Sequence, residues 1–248
     1  MKDIRGKVIL ITGGASGIGR LVGLMLAERG GKIVVWDLNA EAIEKLESEG
    51  KEKGFSIRGM VCDVSNREEV YLQAKKVTEE TGPVDILVNN AGIVSGTTFL
   101  NIPDEKILKT MDVNLFPVFW TLKAFLPSMI ERNTGHIVTI SSAAGIIGVT
   151  GLSDYSASKF AAFGFHESIR MELRGLGKKI GTTIVCPFFI NTGMFKGVKT
   201  RVPFMFPILE SEYVAKKLPG LSSKTKEAYS AVDSFPGLFT AVSPGRRI

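Results

Sequence analysis

Cysteine and histidine are scarce in this 248-residue chain, which holds two of each. Cys62 and Cys186 cannot build a disulfide framework, and neither they nor His136 and His166 stand at metal-ligand spacing, so no metal is expected. No apolar run approaches the roughly 18 residues that a membrane-crossing helix needs, and neither a secretory leader nor an N-x-S/T glycosylation site can be read. The sequence as it stands is therefore not expected to span a membrane. Repeats and low-complexity linkers are also missing, which excludes solenoid, collagen-like and mainly disordered architectures.

What is present is ordinary for a soluble globule, with 44% hydrophobic and 23% charged residues. A chain of this length can bury about 70–75% of its unfolded surface in one fold, so it needs no covalent staple. The net charge of +6 is unevenly placed. Residues 1–169 carry 18 basic and 20 acidic side chains, whereas residues 170–248 carry 13 and 5. A uniformly basic nucleic-acid-binding surface is thereby excluded, and no basic–aromatic interleaving marks a local one. The basic C-terminal third would suit an anionic membrane surface instead.

Apolar, β-branched runs at Lys7–Thr12, Lys32–Trp36, Ser56–Cys62, Val84–Val88, His136–Ser141 and Thr182–Cys186 read as strands, mostly without polar alternation. Amphipathic stretches near Gly17–Arg29, Ala40–Lys53, Arg67–Thr81, Pro103–Arg132 and Asp154–Leu176 separate them. This alternation predicts a single α/β domain: a doubly wound parallel sheet of the Rossmann kind, with helices on both faces. Residues 1–217 are read as that domain. Its last part, about residues 188–217, is rich in Phe, Met and Ile and reads as an apolar lid, or else as core or a dimer contact, with a short helix near Glu210–Lys217. Residues 218–248 show neither period and read as a divergent, poorly ordered tail.

Between the first strand and first helix runs Thr12-Gly13-Gly14-Ala15-Ser16-Gly17-Ile18-Gly19. Glycines there let the backbone turn tightly and approach a pyrophosphate, whose charge meets the helix N-terminus. The context, after an apolar strand and before an amphipathic helix, separates this loop from an ordinary turn. Asp37 ends the second strand about 20 residues on, where a carboxylate can take both ribose hydroxyls and repel a 2′-phosphate. No basic residue follows it, so NAD is expected over NADP, although a solvated strand-end Asp would look the same. Asp63 and Val64 close the third strand, and Asn90, Ala91 and Gly92 close the fourth. Both lie where ligands cross the carboxyl ends of an open sheet. Asp63 could reach an adenine amino group, or simply form a turn or cap.

Three of the four tyrosines have a lysine four residues later: Tyr71/Lys75, Tyr155/Lys159 and Tyr213/Lys217. Such a pair shares one helix face, and a nearby ammonium favours the phenolate. Only Tyr155 follows, by thirteen residues, a serine at a strand end, Ser142. Counting back the same distance gives Arg58 from Tyr71 and Thr200 from Tyr213. Tyr155/Lys159 is therefore the candidate, and Ser142 has no partnered histidine to make it a nucleophile.

The glycine loop, Asn89–Gly92, Asn114, Ser142 and Tyr155-x-x-x-Lys159 together resemble the short-chain dehydrogenase/reductase family over about residues 7–192. The resemblance implies that Tyr155 is the acid/base, that Lys159 lowers its pKa and binds the nicotinamide ribose, and that Ser142 holds the substrate oxygen. It implies that Asn114 anchors a water of a proton relay, although on its own Asn114 reads equally as a polar residue at a helix bend. Pro187, Ile190 and Thr192 match the segment that meets the nicotinamide.

Stretches such as Val34–Asp37, Thr121–Pro127, Ser158–Phe165 and Cys186–Gly193 resemble the branch of epidermal retinol dehydrogenase and lipid-droplet 17β-hydroxysteroid dehydrogenases. That branch implies NAD-dependent oxidation of a lipophilic alcohol (retinol or a hydroxysteroid), a homodimer, and a cytosol-facing place at the endoplasmic reticulum or a lipid droplet. It also implies a hydrophobic anchor before the first strand, whereas Met1 stands six residues ahead of Lys7. A further edge strand and C-terminal helical region are implied too, where Leu218–Ile248 reads as unrelated tail. A dinucleotide-binding but impaired protein acting as a lipid-surface interaction partner is the alternative expectation.

Overall fold

The first strand is a run of five side chains, Val8–Thr12, every one of them buried. A strand of that kind survives only between two layers, and the computed structural model, which describes residues 3–187, supplies both. In chain order the elements are β1 (Val8–Thr12), α1 (Gly17–Glu28), β2 (Lys32–Asp37), α2 (Ala40–Glu52), β3 (Ile57–Val61), α3 (Arg67–Thr81), β4 (Ile86–Asn89), α4 (Asp104–Asn114), α5 (Phe116–Arg132), β5 (Gly135–Ile140), α6 (Ser153–Gly175) and β6 (Ile180–Val185). Single 3₁₀ turns lie at Phe99–Asn101 and Ala143–Gly145.

All five strand pairings are parallel, in the order β3-β2-β1-β4-β5-β6. The order reverses between β1 and β4, which makes their carboxyl ends the crevice where a doubly wound sheet binds ligands. Alternate side chains feed opposite layers. Ile9, Ile11, Ile33 and Val35 pack under α1 and α2, while Val8, Leu10, Val34 and Trp36 pack with α3 and α5. Each fully buried Leu or Ile contributes about 1.5–3 kcal/mol.

The stretch expected as one helix over Pro103–Arg132 is two. α4 ends at Asn114, Leu115 sits at φ −114°, ψ −61°, and α5 starts at Phe116. Pro117 is the cause: it carries no N–H for the Val113 carbonyl one turn back, so it ends the α4 ladder and suits the first turn of a new helix. Val118 N–H then turns to Leu115 O at 3.1 Å. By length and composition the stretch Asp104–Arg132 could cross a membrane, and its Val118, Leu122, Phe125 and Met129 lie in the core. The sixth strand begins at Ile180, two residues earlier than its apolar run suggests. The lid, the helix near 210–217 and the tail lie outside the described residues.

Candidate active site

The glycine loop is built by close approach. Gly13 adopts φ +61°, donates its N–H to Trp36 O at 2.7 Å, and leaves only 2.9 Å between an added Cβ and Ala91 Cα. A Cβ on Gly19 would overlap Gly13 O and reach within 2.6 Å of Asn90 Nδ2. Asn90 then latches the loop, its Nδ2 donating to Thr12 O and Gly13 O at 2.9 Å each. Thr12 Oγ1 accepts from the backbone of Asn90 and Ala91 at 3.0 and 3.1 Å. Thr12 and Gly19 therefore shape the loop from behind.

The loop leaves α1 open at its N-terminus. The Ser16 side chain makes no capping bond, and the first turn carries no acidic residue. Unsatisfied amides and the positive end of the helix there suit a pyrophosphate. A cavity of about 550 Å3 runs from this point across the strand ends, lined by Gly13, Ser16, Gly17 and Ile18 at one end and Ser142, Tyr155, Lys159 and Pro187 at the other. Asn90, Ala91, Gly92 and Val64 form its middle. A pinched glycine cradle, an uncapped helix and an elongated cavity together fit a nicotinamide dinucleotide.

Asp37 stands in that wall at the end of β2. Its Oδ2 accepts from Ala15 N–H at 3.0 Å and its Oδ1 from Asn39 N–H at 3.1 Å, which aims the carboxylate across the loop. Lys159 is the one cationic side chain among the described residues lining the cavity. Arg20, the basic residue nearest the loop in sequence, is paired with Glu49 of α2. Asp63 lies beside the cavity while its neighbours Cys62 and Val64 line it. Its Oδ1 accepts from the Ser65 amide and hydroxyl at 2.9 and 2.6 Å, and Lys109 Nζ is 3.8 Å from Oδ2. Burial works to raise the Asp63 pKa, but Ser65 and Lys109 outweigh it and hold the carboxylate below its ordinary range.

At the far end, Ser142 follows β5 and caps the 3₁₀ turn, its Oγ accepting from Ala144 N–H at 3.1 Å. Tyr155, on the first turn of α6, hydrogen-bonds the Ser142 side chain. One turn later Lys159 Nζ donates to Ile140 O at 3.0 Å and stands 5.6 Å from the Tyr155 ring centroid. All three predicted groups thus meet in one buried corner. The rival pair does not resemble it: Tyr71 is exposed on α3, and Lys75 Nζ lies 3.8 Å from Glu79.

Burial dominates the electrostatics of this corner. Burial pushes the Tyr155 phenol up to about 12, although the Ser142 hydrogen bond pulls it the other way. Burial also pushes the Lys159 ammonium down to about 8. The ammonium is committed to the Ile140 carbonyl and faces the Tyr155 ring, and desolvation disfavours the charged form of both groups. Cys186, whose thiol burial raises to about 11, touches Ser141 from behind this corner.

Asn114 is buried at the break between α4 and α5, behind the cavity wall. Its Oδ1 accepts from Ile93 N–H at 2.8 Å, and its Nδ2 donates to Ile93 O and Ser158 Oγ, both at 3.0 Å. Pro117 has no N–H and Val118 N–H goes to Leu115 O, so the next turn offers the Asn114 carbonyl no donor. The break in the helix and the missing donor have the same cause. Ile190 and Thr192 lie outside the described residues.

Sequence reasoning missed Ile93, Val94 and Cys62 in the cavity wall, and the half-buried Ser95 and buried Thr110, Asp154 and Ser158 around the tyrosine. Ser158 lies three residues after Tyr155 on the same face, a signal that was available. The others are brought in by packing alone.

The short chain dehydrogenase family model matches residues 7–202. Mouse epidermal retinol dehydrogenase 2 is 52% identical over 221 residues, covering 88% of this chain and 71% of that protein. Human 17-beta-hydroxysteroid dehydrogenase 13 is 44% identical over 218 residues, covering 88% and 72%. Among solved structures, an actinorhodin polyketide ketoreductase variant with NADPH superimposes at a TM-score of 0.78 with 33% identity, covering 87% of this chain and 89% of that one. A metagenomic short-chain oxidoreductase in complex with NADP gives 0.76 at 27% identity, covering 89% and 92%. With the glycine cradle, the Ser142–Tyr155–Lys159 corner and these relatives in agreement, the chain belongs to the short-chain dehydrogenase/reductase family, as an oxidoreductase that uses a nicotinamide dinucleotide.

Proposed function

We propose that the protein oxidises a lipophilic secondary or allylic alcohol, retinol or a hydroxysteroid, with NAD. The observation that carries the reading is the Ser142–Tyr155–Lys159 corner at the inner end of the dinucleotide cavity. The bound NAD supplies the acceptor for the hydride that leaves the carbinol carbon. Ser142 holds the substrate hydroxyl, and Tyr155 first gives its own phenol proton to solvent. The Ser142 hydrogen bond and the positive charge of bound nicotinamide favour that loss over the burial that otherwise holds the phenol at about 12. The phenolate then takes the hydroxyl proton as the carbonyl forms. Lys159, buried with a donor to spare beyond the Ile140 carbonyl, binds the nicotinamide ribose, and the Asn114 carbonyl holds a relay water.

NAD is favoured by Asp37 in the wall and by the lack of a second cation among the described lining residues. A 2′-phosphate there would meet a carboxylate with nothing to neutralise it. A lipophilic substrate is favoured by the apolar surroundings of Tyr155, which packs with Ala144, Leu152, Val94 and Val149. The named substrates of the relatives point the same way. Pairing of two copies through α5 and α6, where Phe116 and Phe160 are exposed, belongs to this reading. So does a cytosol-facing position at an endoplasmic-reticulum or lipid-droplet surface.

The test is turnover of the purified full chain with all-trans-retinol and estradiol, followed by NADH absorbance with NAD and NADP in parallel. Turnover with NAD supports the proposal. Turnover of a small polar alcohol alone would overturn it, and NADH binding without turnover of any alcohol would favour the interaction-partner alternative.

A further inference from the structure

Asp154 immediately precedes Tyr155 and is 5% exposed. Its Oδ1 accepts from Ser95 Oγ at 2.7 Å and its Oδ2 from Thr110 Oγ1 at 2.8 Å. Ser95 belongs to the segment after β4, Thr110 to α4, and Asp154 to the first turn of α6. The same three elements are joined a second time, by Ile93 to Asn114 to Ser158, whose Oγ donates to Tyr155 O at 2.7 Å. The spacings match: 93 and 95 are two apart along an extended segment, while 110 and 114, and 154 and 158, are one helical turn apart. The result is a ladder with two polar rungs, buried where they join α4 to α6 and half-buried at the segment 93–95, and Tyr155 sits between them.

The segment that this ladder grips carries Ile93 and Val94 into the cavity wall. Misplacing a reacting group by about 1 Å can cost about 100-fold in rate, so whatever fixes this wall against Tyr155 bears on turnover. We propose that Asp154 is a positioning residue, which clamps the segment 93–95 and α4 onto the catalytic helix and so sets Tyr155 against the bound substrate. A carboxylate suits the post: it accepts two hydroxyls at once, and the first turn of a helix favours its charge. The inference rests on Tyr155 as the acid/base, but not on which alcohol is oxidised.

The experiment compares D154A, D154N and the double variant S95A/T110V in the full chain, measuring kcat and KM, NADH affinity by fluorescence, and hydrogen exchange over 93–97. In D154A, kcat is expected to fall about 10- to 100-fold while NADH affinity changes less than about threefold, with faster exchange over 93–97. A carboxamide in place of the carboxylate can accept one hydroxyl and donate to the other, so D154N is expected to recover kcat to within about fivefold of the parent. S95A/T110V, which removes both donors and keeps the carboxylate, is expected to behave like D154A, and it decides the question if D154A does not fold. A kcat within about twofold of the parent in S95A/T110V, or a D154N chain that regains its thermal midpoint but not its kcat, would overturn the clamp. If the parent oxidises neither retinol nor estradiol, the substrate reading fails by itself, and unchanged exchange over 93–97 in the variants would still overturn the clamp.

Discussion

The Lys159 ammonium is bound to the Ile140 carbonyl at 3.0 Å, and with Ser141 Oγ donating to Lys159 O at 3.0 Å it ties the helix α6 to the end of the fifth strand. Lys159→Met leaves the Ile140 carbonyl without its donor and removes the cation facing Tyr155. Turnover should drop at least about 100-fold, and NADH binding should weaken as well. Steady-state rates beside a fluorescence titration check both parts.

Tyr155→Phe removes only the hydroxyl that bonds Ser142. Loss of a positioned acid/base should lower kcat by about 100- to 10,000-fold, with NADH affinity held within about threefold. A rate within about tenfold of the parent would show that another group moves the proton.

Asp37→Ser should raise NADP efficiency relative to NAD by about tenfold or more, because a carboxylate no longer faces the 2′-phosphate. The Ala15 N–H also loses its acceptor, so NAD binding should weaken at the same time. Paired kcat/KM measurements with the two cofactors test this.

Two glycines should respond oppositely to alanine. A Cβ at Gly19 overlaps Gly13 O in a loop that cannot retreat, so Gly19→Ala should cost about 1–3 kcal/mol and abolish dinucleotide binding. Nothing lies within 4 Å of a Cβ at Gly164, in the middle of α6, so Gly164→Ala should stabilise by about 0.5–1 kcal/mol. Urea denaturation of both variants is the measurement.

Burial lowers the pKa of His136 and of His166 to about 4 each, with Thr183 and Thr139 hydroxyls as their partners. An unfolded histidine takes up its proton near 6.5, so between about pH 6.5 and 4 the unfolded chain binds more protons. Stability should therefore be lost as pH falls through that window, by on the order of 3 kcal/mol per histidine at its lower end. Replacing His166 with Asn should roughly halve the slope in pH-dependent denaturation.

Much of this site can be read without coordinates, because its parts are local. Gly13, Gly17 and Gly19 declare a loop by their position between an apolar strand and a helix. Tyr155 was separable from Tyr71 because Ser142 lies at a strand end and Arg58 does not. Where periodicity failed, a single helix-breaking residue or burial had overridden it. Pro117 splits a helix that its apolar periodicity would carry through, and burial pushes the Tyr155 phenol up, which no spacing in the sequence announces.

The sequence by itself determined the parallel α/β order, the glycine loop and the candidate set Ser142, Tyr155 and Lys159, since periodicity, spacing and glycine sterics act over a few residues. Only the tertiary structure decided which buried polar groups meet. Ser95, Thr110 and Asp154 are separated by up to 59 positions, and only the packing of three elements places their oxygens within 2.8 Å. Desolvation likewise exists only once the chain has closed over Tyr155 and Lys159, which is why their proton affinities belong to the fold rather than to the motif.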